Sequence, residues 1–313
     1  MSLLEQVRAT APYQWAANLK RDVVQKRRER VARMILKLPP RPVPVPSPNL
    51  ASLHLLTSSR DWLGALWSVR TFLEFLGESL PVFFHDDGTL DAAIVSQLHG
   101  FLPGAVVVSA AEAQTVAGRQ LKEFPHCQGA RQRHIMTHKL FDPALFAVGP
   151  RYLLLDSDLL FFRPPGEIAQ WLKGHDRVNL WNEDQGEFLN LTPAEAQHRH
   201  GVALFTGMNA GFGGVWRESV DFRLLEDYFS HESVWVHPHR VEQTAYALLS
   251  GRFGGRLLPR TYLIDTNRAT GLPKDIVMKH YVGKIRDLFF SEGINHLLAQ
   301  GFVSGVRQEA KSP

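Results

Sequence analysis

Beyond residue 50 the chain alternates short apolar runs with longer stretches whose apolar residues recur at helical spacing. Leu53-His54-Leu55-Leu56-Thr57 predicts a strand, Trp62 to Leu76 an amphipathic helix, and Pro81-Val82-Phe83-Phe84-His85 a second strand. The series continues with a helix over Asp91 to Leu98, a strand over Ala105 to Val108, a helix over Ala110 to Ala117 and a strand over Tyr152 to Asp156. Strand, helix, strand in repetition points to an α/β domain with a mostly parallel central sheet and helices on both faces. Ligands bind such sheets at the carboxyl ends of the strands, where Thr57, His85, Asp86 and Asp156 fall. The second half is less regular. It offers a glycine-rich segment from Asn209 to Trp216, helical patterns over Glu218 to Phe229 and Val241 to Leu249, and a strand over Ile276 to Tyr281.

The first 41 residues carry ten Lys or Arg against three acids, so this arm is net +7 and the rest of the chain net −3, within a total of +4. Val23, Val24, Val31, Met34, Ile35 and Leu38 recur at helical spacing among these bases until the proline run Pro39 to Pro48, which reads as an extended linker. The expected organisation is a basic helical arm and Pro-rich linker over 1–48, a main domain over 49–290 and a C-terminal tail over 291–313. A basic amphipathic helix on a stiff tether suits an anionic membrane surface or a partner protein. The same pattern equally suits a helix packed on its own domain with solvated bases. Few aromatics interleave with those bases, which argues against specific nucleic-acid binding. The single cysteine, Cys127, excludes an intramolecular disulfide and a Cys-built zinc module. No window approaches the roughly 18 to 20 apolar residues of a membrane span, and no signal-peptide core is present. A cytoplasmic protein, peripheral to the inner face of the membrane through its arm, is the expectation.

Candidate chemistry centres on Asp156-Ser157-Asp158, two acids ending the apolar run Tyr152 to Leu155 and followed by Leu159-Leu160-Phe161-Phe162. Carboxylates at the end of a buried strand are costly without a cation or strong donors. In extended chain Asp156 and Asp158 share a side, with Cα atoms about 6 to 7 Å apart, which allows one divalent ion between them. The alternative is a polar turn in which Asp156 or Ser157 caps backbone amides. A second candidate is Lys279-His280-Tyr281-Val282-Gly283-Lys284-Ile285-Arg286. Here a strand-end imidazole can bind metal, Gly283 lets backbone approach a phosphate, and Lys284 and Arg286 neutralise it. Two lesser candidates are His237-Pro238-His239-Arg240, an acceptor-side or second metal site or, more simply, a surface loop, and Trp181-Asn182-Glu183-Asp184-Gln185, suited to sugar hydroxyls or to a solvated loop.

Together these segments resemble the nucleotide-diphospho-sugar glycosyltransferases of the GT-A fold, most closely the glycogenin-like and lipopolysaccharide galactosyltransferase-like family 8. The resemblance covers roughly residues 50 to 290. Asp156 and Asp158 correspond to that family's Asp-x-Asp, and His280, Gly283 and Arg286 to its His-x-x-Gly-x-x-Lys, with Arg286 in place of the usual Lys. His138-Lys139-Leu140-Phe141 looks like its Lys-Leu helix, which makes Lys139 a donor contact. Asn209-Ala210-Gly211 looks like its Asn-Ser/Ala-Gly strand, with Asn209 near the transferred sugar, and Glu242-Gln243 like its Asp-Gln pair. The resemblance further implies that Thr57-Ser58-Ser59-Arg60 meets the nucleoside.

The implied activity is metal-dependent sugar transfer from a nucleotide-diphosphate donor, a UDP-sugar, to an unidentified glycan, lipid-linked or protein acceptor, with retention of configuration. Asp156, Asp158 and His280 form the expected metal set, and two carboxylates with one imidazole suit Mn²⁺ better than Mg²⁺. Thr57, Arg60, Lys139, Asp156, Gly283, Lys284 and Arg286 are the expected donor contacts, and Asn209, Glu242 and Gln243 the residues at the reacting sugar. An inverting reaction would instead need a base, for which Glu183, Asp184 and Glu242 are available. Two other readings compete: an Asp-x-Asp phosphohydrolase, and a catalytically inert adaptor whose arm does the work. Against the first, the motif lies mid-chain and Leu159 follows it.

Overall fold

A computed structural model describes residues 23–303. Seven strands form the central sheet, in the order β3 (Val106–Val108), β2 (Val82–Asp86), β1 (Ser52–Thr57), β4 (Arg151–Leu155), β7 (Met208–Trp216), β6 (Asn179–Glu183) and β8 (Gly255–Leu257). Only β7 runs against its neighbours, β4 and β6; the other pairings are parallel. A smaller sheet has the order β5 (Leu159–Phe161), β10 (Met278–His280) and β9 (Tyr262–Ile264). Helices pack on the central sheet, so the chain has the mixed, mostly parallel α/β architecture that the GT-A resemblance implies.

The continuous apolar runs of β1, β2 and β4 are buried over nearly their whole length, as expected of parallel strands covered on both faces. The helix Trp62–Leu76 lies where the pattern places it and ends on Gly77, whose φ of 74° lies in the left-handed region that closes helices. One expected boundary shifts, and two segments take a definite form. The helix read from Glu218 begins at Phe222, because Asp221 accepts from the amides of Arg223 and Leu224 as its N-cap. The glycine-rich segment is the long strand β7, and Trp181 packs its indole against Gly213, where a Cβ would collide with the ring. Trp181 to Glu183 belong to strand β6, with Trp181 and Asn182 fully buried.

The described part of the arm is a helix over 23–32, continued by a tighter turn at Arg33–Lys37. It takes the packed form of the two arrangements expected of it. Ala32, Ile35 and Leu38 join the main core, and the Trp67 indole donates to the Ala32 carbonyl at 2.8 Å. The proline run is extended and lies along the domain: Arg41 and Val43 amides donate to the carbonyls of Phe101 and Pro103, and Arg70 donates to that of Pro39. At the other end, Ile294 and Leu297 are buried in the same core. Among the described residues no helix is long and apolar enough to cross a membrane.

Candidate functional site

Strand β4 ends at Leu155, and the Asp156 amide donates to the Gly211 carbonyl of β7 at 2.8 Å. The chain then crosses through Ser157 and Asp158 into β5, which runs antiparallel to β10 with Leu159 opposite His280. The Tyr281 amide donates to the Asp158 carbonyl at 2.9 Å and completes the junction. This register brings together residues 122 positions apart: His280 Nε2 lies 3.1 Å from Asp158 Oδ1 and 3.8 Å from Asp156 Oδ2. The ligand atoms of Asp156, Asp158 and His280 all lie within 4.8 Å of one another. The alternative of a capping turn is not what holds these acids: among the described residues their side-chain partners are Lys139, His280 and Arg286. Gly211 makes room for the imidazole, since a Cβ there would sit 2.8 Å from His280 Nδ1 and nearer still to Cε1.

Lys139 enters from the helix His138–Phe146, with Nζ 2.6 Å from Asp156 Oδ1 and 3.2 Å from Glu242 Oε1. That helix is anchored by Asp142, which takes two guanidinium nitrogens of buried Arg131 at 2.6 and 3.0 Å, and by the Tyr246 hydroxyl, which donates to the Lys139 carbonyl at 3.0 Å. Arg286 approaches from the turn after β10, its Nε 3.5 Å from Asp158 Oδ2 and a terminal nitrogen 3.2 Å from Asp61 Oδ1. Gly283 starts that turn with φ of 58°, a left-handed conformation that disfavours side chains.

Electrostatics bind these groups into one unit. Burial alone would raise the Asp158 carboxyl, but His280, with Arg286 and Lys139 behind it, holds it below the ordinary range. Burial would lower the His280 imidazole, and Asp158, then Asp156, hold it above its ordinary value. Lys139 likewise stays charged against burial because Asp156 and Glu242 outweigh it. Burial pushes the Glu242 carboxyl up, and Lys139 only partly opposes this. Asp156, Asp158 and Glu242 thus share three basic partners, Lys139, Arg286 and His280, in one cluster of interleaved charge.

The remaining expected residues divide. Asn209 sits beside the cluster on β7, its Nδ2 donating to Asp184 Oδ2 at 2.9 Å and its Oδ1 accepting from the Gly211 amide at 2.9 Å. Gln243 is engaged at both ends, accepting from the Ala210 amide and donating to the Phe188 carbonyl, each at 3.2 Å. Thr57 is buried at the end of β1, and Arg60 is exposed in the loop that follows. The Lys284 side chain is exposed and makes no contact with the cluster among the described residues. His237 to Arg240 form a short turn, with Arg240 stacked over Phe188. Glu183, Asp184 and Gln185 edge a cavity of about 390 Å³.

The sequence pattern left out Asp61, which holds Arg286, and the Arg131–Asp142 pair, which fixes the Lys139 helix. Neither carries a local signal, because each partner lies on a different element.

The donor set fits a divalent cation. Two carboxylates and an imidazole converge on one point, and Lys139 occupies only one oxygen of Asp156 while the other faces His280.

No protein-family model matches the chain, and no curated protein matches it by sequence. Among solved structures it is similar to mouse xyloside xylosyltransferase 1 in its apo form, with 13% identity, coverage of 74% of this chain and 96% of that one, and a TM-score of 0.47. It is similar to the galactosyltransferase LgtC in complex with donor and acceptor sugar analogs, at 16% identity, covering 82% of this chain and 98% of that one, TM-score 0.48. A third likeness is to the mannosyltransferase Ktr4p of S. cerevisiae, at 10% identity, covering 76% and 78%, TM-score 0.41. With identities and scores this low, the functional reading rests on the side chains themselves.

Proposed function

We propose that the chain is a divalent-metal-dependent glycosyltransferase that moves a sugar from a nucleotide-diphosphate donor, a UDP-sugar, to a glycan, lipid-linked or protein acceptor. The observation that carries this reading is the convergence of Asp156, Asp158 and His280 at the carboxyl end of β4, beside Lys139 and Arg286. These three residues would hold Mn²⁺, with Mg²⁺ as the alternative. When bound, the cation acts as a Lewis acid that neutralises charge developing on the departing diphosphate.

The chain's own groups supply the rest. Arg286, still half-exposed while paired with Asp61 and Asp158, offers its free edge to phosphate oxygens. Lys139 orients Asp156 and keeps Glu242 from standing as an unpaired buried charge. The Asn209 amide, fixed by Asp184, points the sugar-facing edge of β7, and the cavity edged by Glu183 and Asp184 takes the acceptor side. Retention is the stereochemistry this arrangement favours. Glu242 is committed to Lys139, Glu183 to Arg260 and Asp184 to Asn209, so each acid suited to an inverting base has another partner. A phosphate oxygen of the leaving group then takes the acceptor's proton.

The test is release of nucleoside diphosphate from a panel of UDP- and GDP-sugars with Mn²⁺, with and without chelator. Slow turnover of at least one donor, abolished by chelator and by Asp158→Asn, is expected. Turnover unaffected by Asp158→Asn, or phosphate release from a phosphomonoester with no sugar nucleotide turned over, would sink the proposal.

A further inference from the structure

A cavity of about 270 Å³ lies between the arm helix and the main domain and reaches the site along Asp158 and Arg286. Arg33 of the following turn lines it beside Gln25, Arg28, Glu29 and Ala32 of the arm helix. Their spacing, i, i+3, i+4 and i+7, is one face of a helix, and it continues the stripe that buries Ala32 and Ile35. Lys26, Arg27 and Arg30, on the other faces, are exposed, whereas Arg28 is half-buried. The domain side contributes the loop after β1, including Arg60 and Asp61, and the aromatic rings of Trp62 and Phe289.

The partners around this cavity are unbalanced. Asp158 is held by His280 and Arg286, Asp61 by Arg286 and Ser58, and Glu29 by Arg33. Arg28 and Arg60 make no hydrogen bond or ion pair among the described residues. Asp287, the acid on which the charge of Arg28 acts, already takes two guanidinium nitrogens of Arg268 at 2.7 Å each. Every carboxylate of the wall is therefore partnered while two guanidiniums are not, and the group that would complete the cavity is an anion. Aromatic rings beside those guanidiniums suit an anion attached to a ring-bearing body.

We infer that the arm helix supplies one wall of the donor site, where Arg28 joins Arg60 and Arg286 in binding the diphosphate of a nucleoside diphosphate. This inference rests on the glycosyltransferase reading and extends it to the arm, which then serves donor binding rather than an external surface. The arm cannot be tested by removal, because Ala32, Ile35 and Leu38 are core residues. Point variants of the full chain separate the cases.

Calorimetric titration of UDP and of GDP in Mn²⁺ should show at least tenfold weaker binding of the preferred nucleotide to Arg28→Glu, with Arg28→Lys restoring most of it. Arg30→Glu, the same charge change on the exposed face, should bind as the wild type does, which controls for general electrostatics. Arg28→Gln, which adds no carboxylate beside Glu29, Asp61 and Asp158, should melt close to the wild-type temperature, since Arg28 makes no hydrogen bond or ion pair among the described residues. Wild-type affinity in Arg28→Glu, with binding still abolished by Asp158→Asn, overturns the arm's role and leaves the donor reading standing. Failure of the wild-type chain to bind either nucleotide in Mn²⁺ overturns both.

Discussion

At the scale of single residues, the site depends on Gly211 as much as on the residues with chemistry. The His280 ring lies where a Cβ of residue 211 would go, and its Nδ1 is buried with no partner among the described residues. The ring is thus held by packing on one side and by Asp158 on the other. Gly211→Ala should push the imidazole off the Asp158 axis at a stability cost of about 1–3 kcal/mol, typical of overpacking. Mn²⁺ affinity should fall by about 10–100-fold, the range seen when groups supporting a metal ligand are disturbed. Parallel measurement of the melting temperature and of Mn²⁺ binding checks this, and unchanged Mn²⁺ affinity would show that His280 is no ligand.

At the scale of elements, the arm and linker belong to the core. Ile35 is fully buried against the main domain, and the linker amides of Arg41 and Val43 pair with backbone carbonyls. Ile35→Ala should therefore destabilise the whole chain by about 2–5 kcal/mol, as for other buried aliphatic truncations. Urea unfolding followed by tryptophan fluorescence reads the change. A loss within experimental error would mean that the arm is a tether.

The same scale explains which elements the sequence pattern reveals. Strands β1, β2 and β4 and the Trp62–Leu76 helix are legible because burial on all sides leaves clean apolar runs and periodicity. Strand β6 is not, because Asn179 and Asn182 interrupt it. Asn179 is buried only because its Oδ1 accepts from the Trp216 amide and the Ser219 hydroxyl, partners on other elements. Strand β7 is masked by glycines whose reason, the indole of Trp181 on β6 and the ring of His280 on β10, lies on other strands. The acids and His280 could be picked out as strand-end residues, yet their meeting depends on the β5–β10 register, which no local pattern encodes. Packing of the arm was one of two readings because amphipathicity identifies an apolar face without saying what covers it.

For the whole molecule, stability should respond to pH through a buried histidine pair outside the candidate metal site. His54 and His85 are fully buried beneath the sheet, with His54 Nδ1 2.9 Å from His85 Nε2. Burial pushes His85 down to about 4, and burial, then His85 itself, holds His54 well below its ordinary value. Lowered imidazole values mean that the unfolded chain binds more protons than the folded chain once the pH drops below about 6.5, so stability falls with falling pH. Between pH 6.5 and about 4 the loss from His85 should approach about 1.4 kcal/mol per pH unit, and His54 acts in the same direction. Unfolding midpoints of the wild type and of a His54→Phe, His85→Leu variant, compared across that window, isolate this part. Parallel slopes in the two proteins would contradict it.

The two sheets and the Lys139 helix converge on one cluster whose two carboxylates and imidazole could hold a divalent ion. Equilibrium titration of Mn²⁺ into the purified chain, with and without UDP, addresses this directly. One Mn²⁺ per chain, bound more tightly in the presence of UDP and lost in Asp158→Asn, is the predicted result. Equal Mn²⁺ binding by wild type and Asp158→Asn, or no binding even with UDP present, would contradict it.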